Sequence, residues 1–284
     1  MKQTAAQRGV DWDAETQKIL SDPELPKIKA AIEQPEFIYP DYYIDGNLNW
    51  LAAAEMSAAS AVIACRVFRD LDSADAAVLR FRTTITATIR QYLQRRGLRD
   101  PEDVVDVGCS TGIGTRWLAR EFPRARMTGL DASPYFLAVA ELEQRRNPLP
   151  DCRRICFDHG LAEAAPYPAG SFDLVALQYI AHECPQSATR AFLAEARRVL
   201  RPGGVVCVVD NNPRSPRLQS MPPAMFTLMK SSEPWSDEFY SLEMEGALVD
   251  AGFRAIWTMP VNTSHHAVFG QLPPLASTVP ENGV

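Results

Sequence analysis

Cysteine is sparse and shows no pairing pattern: six residues stand at 65, 109, 152, 156, 184 and 207, and none forms a CxxC. A disulfide framework is disfavoured, and buried free thiols in a reducing compartment fit better. HExxH is missing, as is zinc-type cysteine spacing, so no metal is expected. Cys152 and Cys156 would share one strand face. A soft-metalloid substrate would need a third convergent thiol, which the sequence does not show. Long apolar runs are also lacking. No stretch approaches the roughly 18 apolar residues of a membrane span, and none is expected. Positive charge is in deficit, with 29 Lys+Arg against 35 Asp+Glu and a net charge of −6. That balance gives no support to a general nucleic-acid or anionic-membrane binder. Gly (15) and Pro (22) are too few for a disordered or fibrous chain. The start, "MKQTAAQRGVDWDAET", has no apolar stretch of the secretory kind. A cytoplasmic location is expected, or an organellar stroma if a transit peptide has been lost.

What is present is ordinary for a globular chain. The 284 residues, 46% hydrophobic and 23% charged, allow one large domain or one domain with an appendage. The first part reads as helical. Short helices are predicted near Asp13–Leu20 and Pro26–Ile32, followed by the aromatic cluster Phe37, Tyr39, Tyr42 and Tyr43. An alanine-rich helix is predicted from Asn49 to about Asp70. Ser73 or Asp75 can cap another, in which Val78, Phe81, Ile85, Ile89 and Tyr92 recur at helical spacing. Its arginines (80, 82, 90, 95, 96) read as a solvated face, with an anion-binding face as the other reading.

From Pro101 the pattern changes. "DVVDVG", "RMTGLD", "CRRICF", "FDLVALQ" and "GVVCVVD" read as strands separated by helical stretches. Ser133 caps one of these helices, with Pro134 in its first turn. Such alternation calls for an α/β fold, a parallel sheet with helices on both faces. Glu238–Asp250 reads as a helix, and a final hairpin turns through Pro260–Ser264. Met221, Met225 and Met229 read as core rather than as an apolar acceptor site. The end, "PPLASTVPENGV", reads as frayed.

The strongest local signal is "VVDVGCSTGIG" at 104–114. A strand runs into Gly108, and a helix opens after Gly112 and Gly114. Glycines allow a tight turn and close backbone approach, and the helix N-terminus offers free N–H groups. A plain strand-to-helix turn with packing glycines is the alternative. The spacing is GxxxGxG, not the dinucleotide GxGxxG. With Asp106 ahead of it, this turn resembles motif I of the class I S-adenosylmethionine-dependent methyltransferases. "LAEAAPYPAGSFDLVALQYIAHECP" and "RVLRPGG" extend the resemblance toward the type-11, ubiquinone-biosynthesis-like branch, over about residues 103 to 206.

The resemblance implies a Rossmann-like seven-stranded, mostly parallel sheet of order 3-2-1-4-5-7-6, with S-adenosyl-L-methionine as cofactor. It places Asp106, Gly108, Cys109, Ser110 and Gly112 in the methionine-cradling loop. Asp131 falls at the ribose position, where a carboxylate accepts from both hydroxyls at about 1.5–3 kcal/mol each. Ala132, Ala162 and Glu163 fall beside the adenine, and Gln178 at the end of strand four. The family's adenine-reading acid is Leu161 here, with Asp158 a possible substitute. Ser110 stands where the family has a second glycine, a change expected to cost little because serine is small.

Around the reacting centre, Tyr179 offers an aromatic face to the sulfonium. His182 is the candidate base, with orientation of a helix start as its other reading. Tyr42, Tyr43 and Trp50 are candidates for the acceptor pocket. So is His266, which strand alternation sends to the face opposite His265. Residues 1–97 are expected to form a helical lid and 98–284 the methyltransferase core, with Pro213–Ser236 as a further wall. The acidic balance points to a small-molecule acceptor rather than nucleic acid. A non-catalytic cofactor-binding scaffold and a nicotinamide-dependent oxidoreductase are the two other readings.

Overall fold

The computed structural model describes residues 1–43, 45–150, 154–231 and 233–274. Cys152 and the stretch from 275 onward, with most of the expected frayed end, lie outside the described residues. Among those described, one seven-stranded sheet has the order β3-β2-β1-β4-β5-β7-β6. Its strands are β1 Asp103–Val107, β2 Arg126–Asp131, β3 Arg154–His159, β4 Phe172–Gln178, β5 Leu200–Asn211, β6 Arg254–Pro260 and β7 His265–Gln271. The first five pair in parallel. Strand β7 runs antiparallel between β5 and β6, and the last two form the expected hairpin. The order is the one implied by the resemblance.

Alternation along the strands builds two cores. Val104, Leu174, Ala176, Val205, Cys207 and Phe269 face one side. Their neighbours Val105, Val175, Val206 and Val268 face the other. A period of two on strands buried from both sides explains why they read as continuous apolar runs.

Five helices precede the sheet: α1 Lys2–Gln7, α2 Trp12–Leu20, α3 Leu25–Ile32, α4 Trp50–Val67 and α5 Ala74–Arg95. Helix α1 was not expected; it buries only Ala5, so it carries no apolar periodicity to read. Ser73 caps α5, its hydroxyl accepting from Ala76 N at 3.1 Å. Tyr92 of α5 is fully buried and stacks on Phe269 of β7, with centroids 4.3 Å apart and planes at 7°. That contact lays α5 across the antiparallel end of the sheet. Helix α4 corrects one expectation: its 18 residues, at a mean hydropathy of 1.3, are long and apolar enough by composition to cross a membrane. Here α4 packs its alanine face instead, with Ala53 and Ala54 toward α2, α3 and α7 and with Ala58 and Val62 toward α5.

Within the sheet region lie α6 Ile113–Glu121, α7 Pro134–Arg146 and α8 Gln186–Val199. Ser133 caps α7 as expected, accepting from Phe136 N at 3.3 Å. After β5 come α9 Pro216–Gln219, α10 Pro223–Lys230, α11 Ser236–Ser241 and α12 Met244–Asp250. The helix expected over 238–250 is thus two, broken at Leu242–Glu243. The core reading of the methionines fails at Met225, which is 55% exposed on α10.

Candidate active site

The C-terminal ends of β1, β2 and β4 open onto one cavity, the place where open α/β sheets bind ligands. Its volume is about 450 Å³. Asp106 lies at its floor, only 2% exposed. It accepts from Thr115 Oγ1 at 2.7 Å and from Gln178 Nε2 at 2.8 Å. Burial pushes its pKa up, against those two hydrogen bonds and the nearby charge of Arg82.

The turn after β1 needs its glycines. Gly108 and Gly112 have φ of 69° and 72°. A Cβ would stand 2.5 Å from Ile180 Cδ1 at the first and 2.6 Å from Phe157 Cζ at the second. Conformation and packing therefore both demand glycine. Ser110 also has a left-handed φ, 51°. The cost of serine there is conformational, roughly 1 kcal/mol, and its small size does not remove it. Ser110 N donates to Asp131 Oδ2 at 2.7 Å. Ser110 Oγ and Thr111 Oγ1 are buried without a hydrogen-bond partner among the described residues.

Asp131 ends β2. Its Oδ1 accepts from Ser133 N at 2.8 Å. Burial pushes its pKa up to about 6, with the Ser133 and Ser110 amides holding it back. Its burial, with one accepted amide on each oxygen, leaves capacity for two further donors, which suits a cis-diol. With orphaned hydroxyls in the adjoining loop, this donor and acceptor set fits the cofactor.

Most of the sequence-derived residues meet here. Asp106, Gly108, Cys109, Ser110, Asp131, Ala132, Ala162, Glu163 and Gln178 line the cavity, with Tyr42, Tyr43, Tyr179 and His182. Gly112 stands just behind, against Phe157. Tyr42 donates to Glu163 Oε1 at 2.7 Å, joining the N-terminal segment to the loop after β3. Tyr179 has φ of 61°, an unusual backbone for an aromatic residue, and its buried hydroxyl has no partner among the described residues.

Three assignments are corrected. Trp50 is absent from the cavity wall; it opens α4 and packs edge-on against Tyr135, with centroids 4.8 Å apart. His266 points to the opposite side of the sheet, and His265 is the one that lines the cavity, against Phe81 and Tyr179. Alternation had allowed either reading. Asp158 does not replace the missing adenine acid, because its carboxylate turns to Tyr167 Oη at 3.0 Å.

Two residues were missed. Asp210, near the end of β5, accepts from His182: Nδ1 lies 2.8 Å from its Oδ1, and the His182 amide 3.3 Å from Oδ2. Burial alone would lower the His182 pKa, but the charge and hydrogen bond of Asp210 push it up to about 10. The acid ending "GVVCVVD" was the available signal. Arg82, on a helix face read as solvated with anion binding as the other reading, lines the cavity. His265, by contrast, is pushed down to about 4 by burial and stands neutral.

A seven-stranded sheet of this order, a glycine turn after β1 and a buried acid ending β2 define the class I architecture of nucleoside-cofactor methyl transfer. A family model described as a methyltransferase domain matches residues 104–204. A methyltransferase of Synechocystis sp. (strain ATCC 27184 / PCC 6803 / Kazusa), described as uncharacterized, is 30% identical over 165 residues, 58% of this chain and 72% of that one. A trans-aconitate 2-methyltransferase of Azoarcus sp. (strain BH72) is 35% identical over 135 residues, 47% and 49% of the two chains. Several other curated relatives are likewise spanned for half their length or less. In structure, a putative O-methyltransferase from Nostoc punctiforme PCC 73102 superposes with a TM-score of 0.57 at 18% identity, over 90% of this chain and 72% of that one. At that identity the likeness speaks for the fold. The chain belongs to the S-adenosylmethionine-dependent methyltransferases.

Proposed function

We propose that this enzyme methylates a small-molecule acceptor by in-line displacement, with residues 1–97 closing the acceptor pocket over the core. One observation carries the reading. The cavity that holds the cofactor-binding set at 106–110 and 131–132 continues to Tyr179, His182 and His265 beneath Tyr42, Met56 and Arg82 of the N-terminal region. A concave cavity of about 450 Å³ shared by cofactor and acceptor suits a small molecule.

S-adenosylmethionine, when bound, supplies an electrophilic methyl group on a sulfonium. The chain's own contribution is alignment and exclusion of water. Holding reactants in attack geometry can supply about 7–11 kcal/mol. Asp131 orients the ribose, and the turn at 108–112, whose glycines allow close backbone approach, faces the amino-acid end. Glu163, fixed by Tyr42, stands beside the adenine position, and the Tyr179 ring beside the reacting centre.

His182 was the base expected from sequence. Because Asp210 holds its proton to about pH 10, the pair favours an acceptor whose reacting atom is already deprotonated or needs no base. The trans-aconitate relative, by its name, methylates an acid, which is compatible with this preference.

The decisive experiment is a metabolite screen with methyl-labelled cofactor, preceded by thermal shift. S-adenosylhomocysteine at 100 times its Kd should stabilise the chain by roughly 2.7 kcal/mol. Stabilisation by NAD with no response to S-adenosylhomocysteine would sink the reading. Cofactor binding without turnover on any acceptor would favour a scaffold role.

A further inference from the structure

Arg82 lies on α5 and reaches the cavity wall. Its Nη2 donates to Ser60 Oγ at 2.7 Å. Its Nε is shielded from solvent and has no partner among the described residues. The residue as a whole is half-buried because its open side is the cavity. Asp106 attracts it through space, yet no described carboxylate lies within 4.0 Å of it to form an ion pair. A guanidinium does not shed its proton, and a buried charge without a counter-ion is costly.

The neighbouring donor shows the same deficit. Tyr179 Oη is buried and unpartnered, and its ring stacks on Phe81, the residue before Arg82, at 5.8 Å. Two residues, each with an unspent donor, thus line one cavity whose other charged walls are the acids Asp106, Asp131, Glu163, Glu183 and Glu233 and the imidazolium of His182. A planar carboxylate accepts from a guanidinium fork and a phenol together.

We propose that Arg82 and Tyr179 form a carboxylate-binding subsite on the cavity wall. Given the methyl-transfer reading on which the choice of sources rests, the carboxylate is either the amino-acid end of the cofactor or a group on the acceptor.

Calorimetry on the full chain separates the two. Wild type and Arg82→Met are titrated with S-adenosylhomocysteine and with 5′-methylthioadenosine, which has the nucleoside and thioether but no amino-acid end. A loss of tenfold or more for the first, with the second unchanged, assigns the cofactor carboxylate. In a second arm, citrate and benzoate are tested for thermal stabilisation, with and without S-adenosylhomocysteine. A shift present in wild type and absent in Arg82→Met assigns the acceptor side. Both arms unchanged within twofold would overturn the subsite. Tyr179→Phe should weaken the same arm about three- to tenfold, and it decides the matter if Arg82→Met does not fold. Wild type that binds neither nucleoside speaks against the cofactor reading, and the carboxylate arm without cofactor then tests Arg82 by itself.

Discussion

His182 Nδ1 stands 2.8 Å from Asp210 Oδ1, and the same carboxylate receives the His182 backbone amide at 3.3 Å. The pair joins the turn after β4 to the end of β5 and fixes the imidazole at the cavity wall. A histidine whose folded pKa is raised from 6.5 to about 10 contributes stability that is complete below about pH 6.5 and is lost as pH rises toward 10. The contribution is on the order of a few kcal/mol. Asp210→Asn keeps the shape and removes the charge. Urea midpoints measured from pH 6 to pH 10 should show a wide gap between wild type and variant at the acid end and a closing gap at the alkaline end. A gap that does not change with pH would refute the pairing.

Asp131 makes the opposite demand on pH, through binding. Its pKa is pushed up to about 6, and hydroxyl donors from a ribose would favour the ionised form. Affinity for S-adenosylhomocysteine should therefore rise as pH increases to about 6 and level off above it. Protons should be released on binding near pH 6, visible as a buffer-dependent calorimetric enthalpy. Asp131→Ala should abolish the affinity. Asp131→Asn should leave a weak, pH-independent remainder. An Asp131→Ala chain that binds as tightly as wild type would remove this residue from the site.

Gly112→Ala should fail for two reasons at one position. The residue sits at φ 72°, and its new methyl carbon would lie 2.6 Å from the Phe157 ring. Strain and overpacking together should cost about 2–4 kcal/mol, read as a lowered urea midpoint. The loop would shift with it, so S-adenosylhomocysteine affinity should drop at least tenfold. Measured against Phe157→Ala alone, which carries its own core cost of about 3–5 kcal/mol, Gly112→Ala should cost less than in wild type but still the part due to φ. No cost in that background would mean that only space, and not backbone conformation, selects glycine here.

Much of the core site was legible because it is local. The strand, its glycine turn and the acid ending the next strand occupy 104–114 and 126–131, so motif and topology place them together. Asp210 was visible as a strand-end acid, but nothing in a linear reading says that it meets a histidine 28 residues earlier. Arg82 was misread because charge on an amphipathic helix is ordinarily solvated, and only tertiary packing turns this one inward. Trp50 was misread for a related reason: an aromatic near a helix start can face either neighbour, and α7 claimed it. Alternation separated His265 from His266, but it did not say which face held the cavity.

The hydrogen bond from Tyr42 to Glu163 is the direct test of the lid. It joins the N-terminal segment to the loop after β3 at 2.7 Å, and burial together with the Glu163 charge raises the Tyr42 pKa. A bond to a charged acceptor contributes about 1.5–3 kcal/mol. If residues 1–97 close over the cavity, Tyr42→Phe should release the cover without disturbing the sheet. Dissociation of S-adenosylhomocysteine in stopped flow should then accelerate about tenfold, with association little changed. Hydrogen exchange should rise in 36–48 while β1 and β4 stay protected. If the bond merely tethers an inert tail, exchange will rise in the same way but the dissociation rate will match wild type, and the lid assignment would fall.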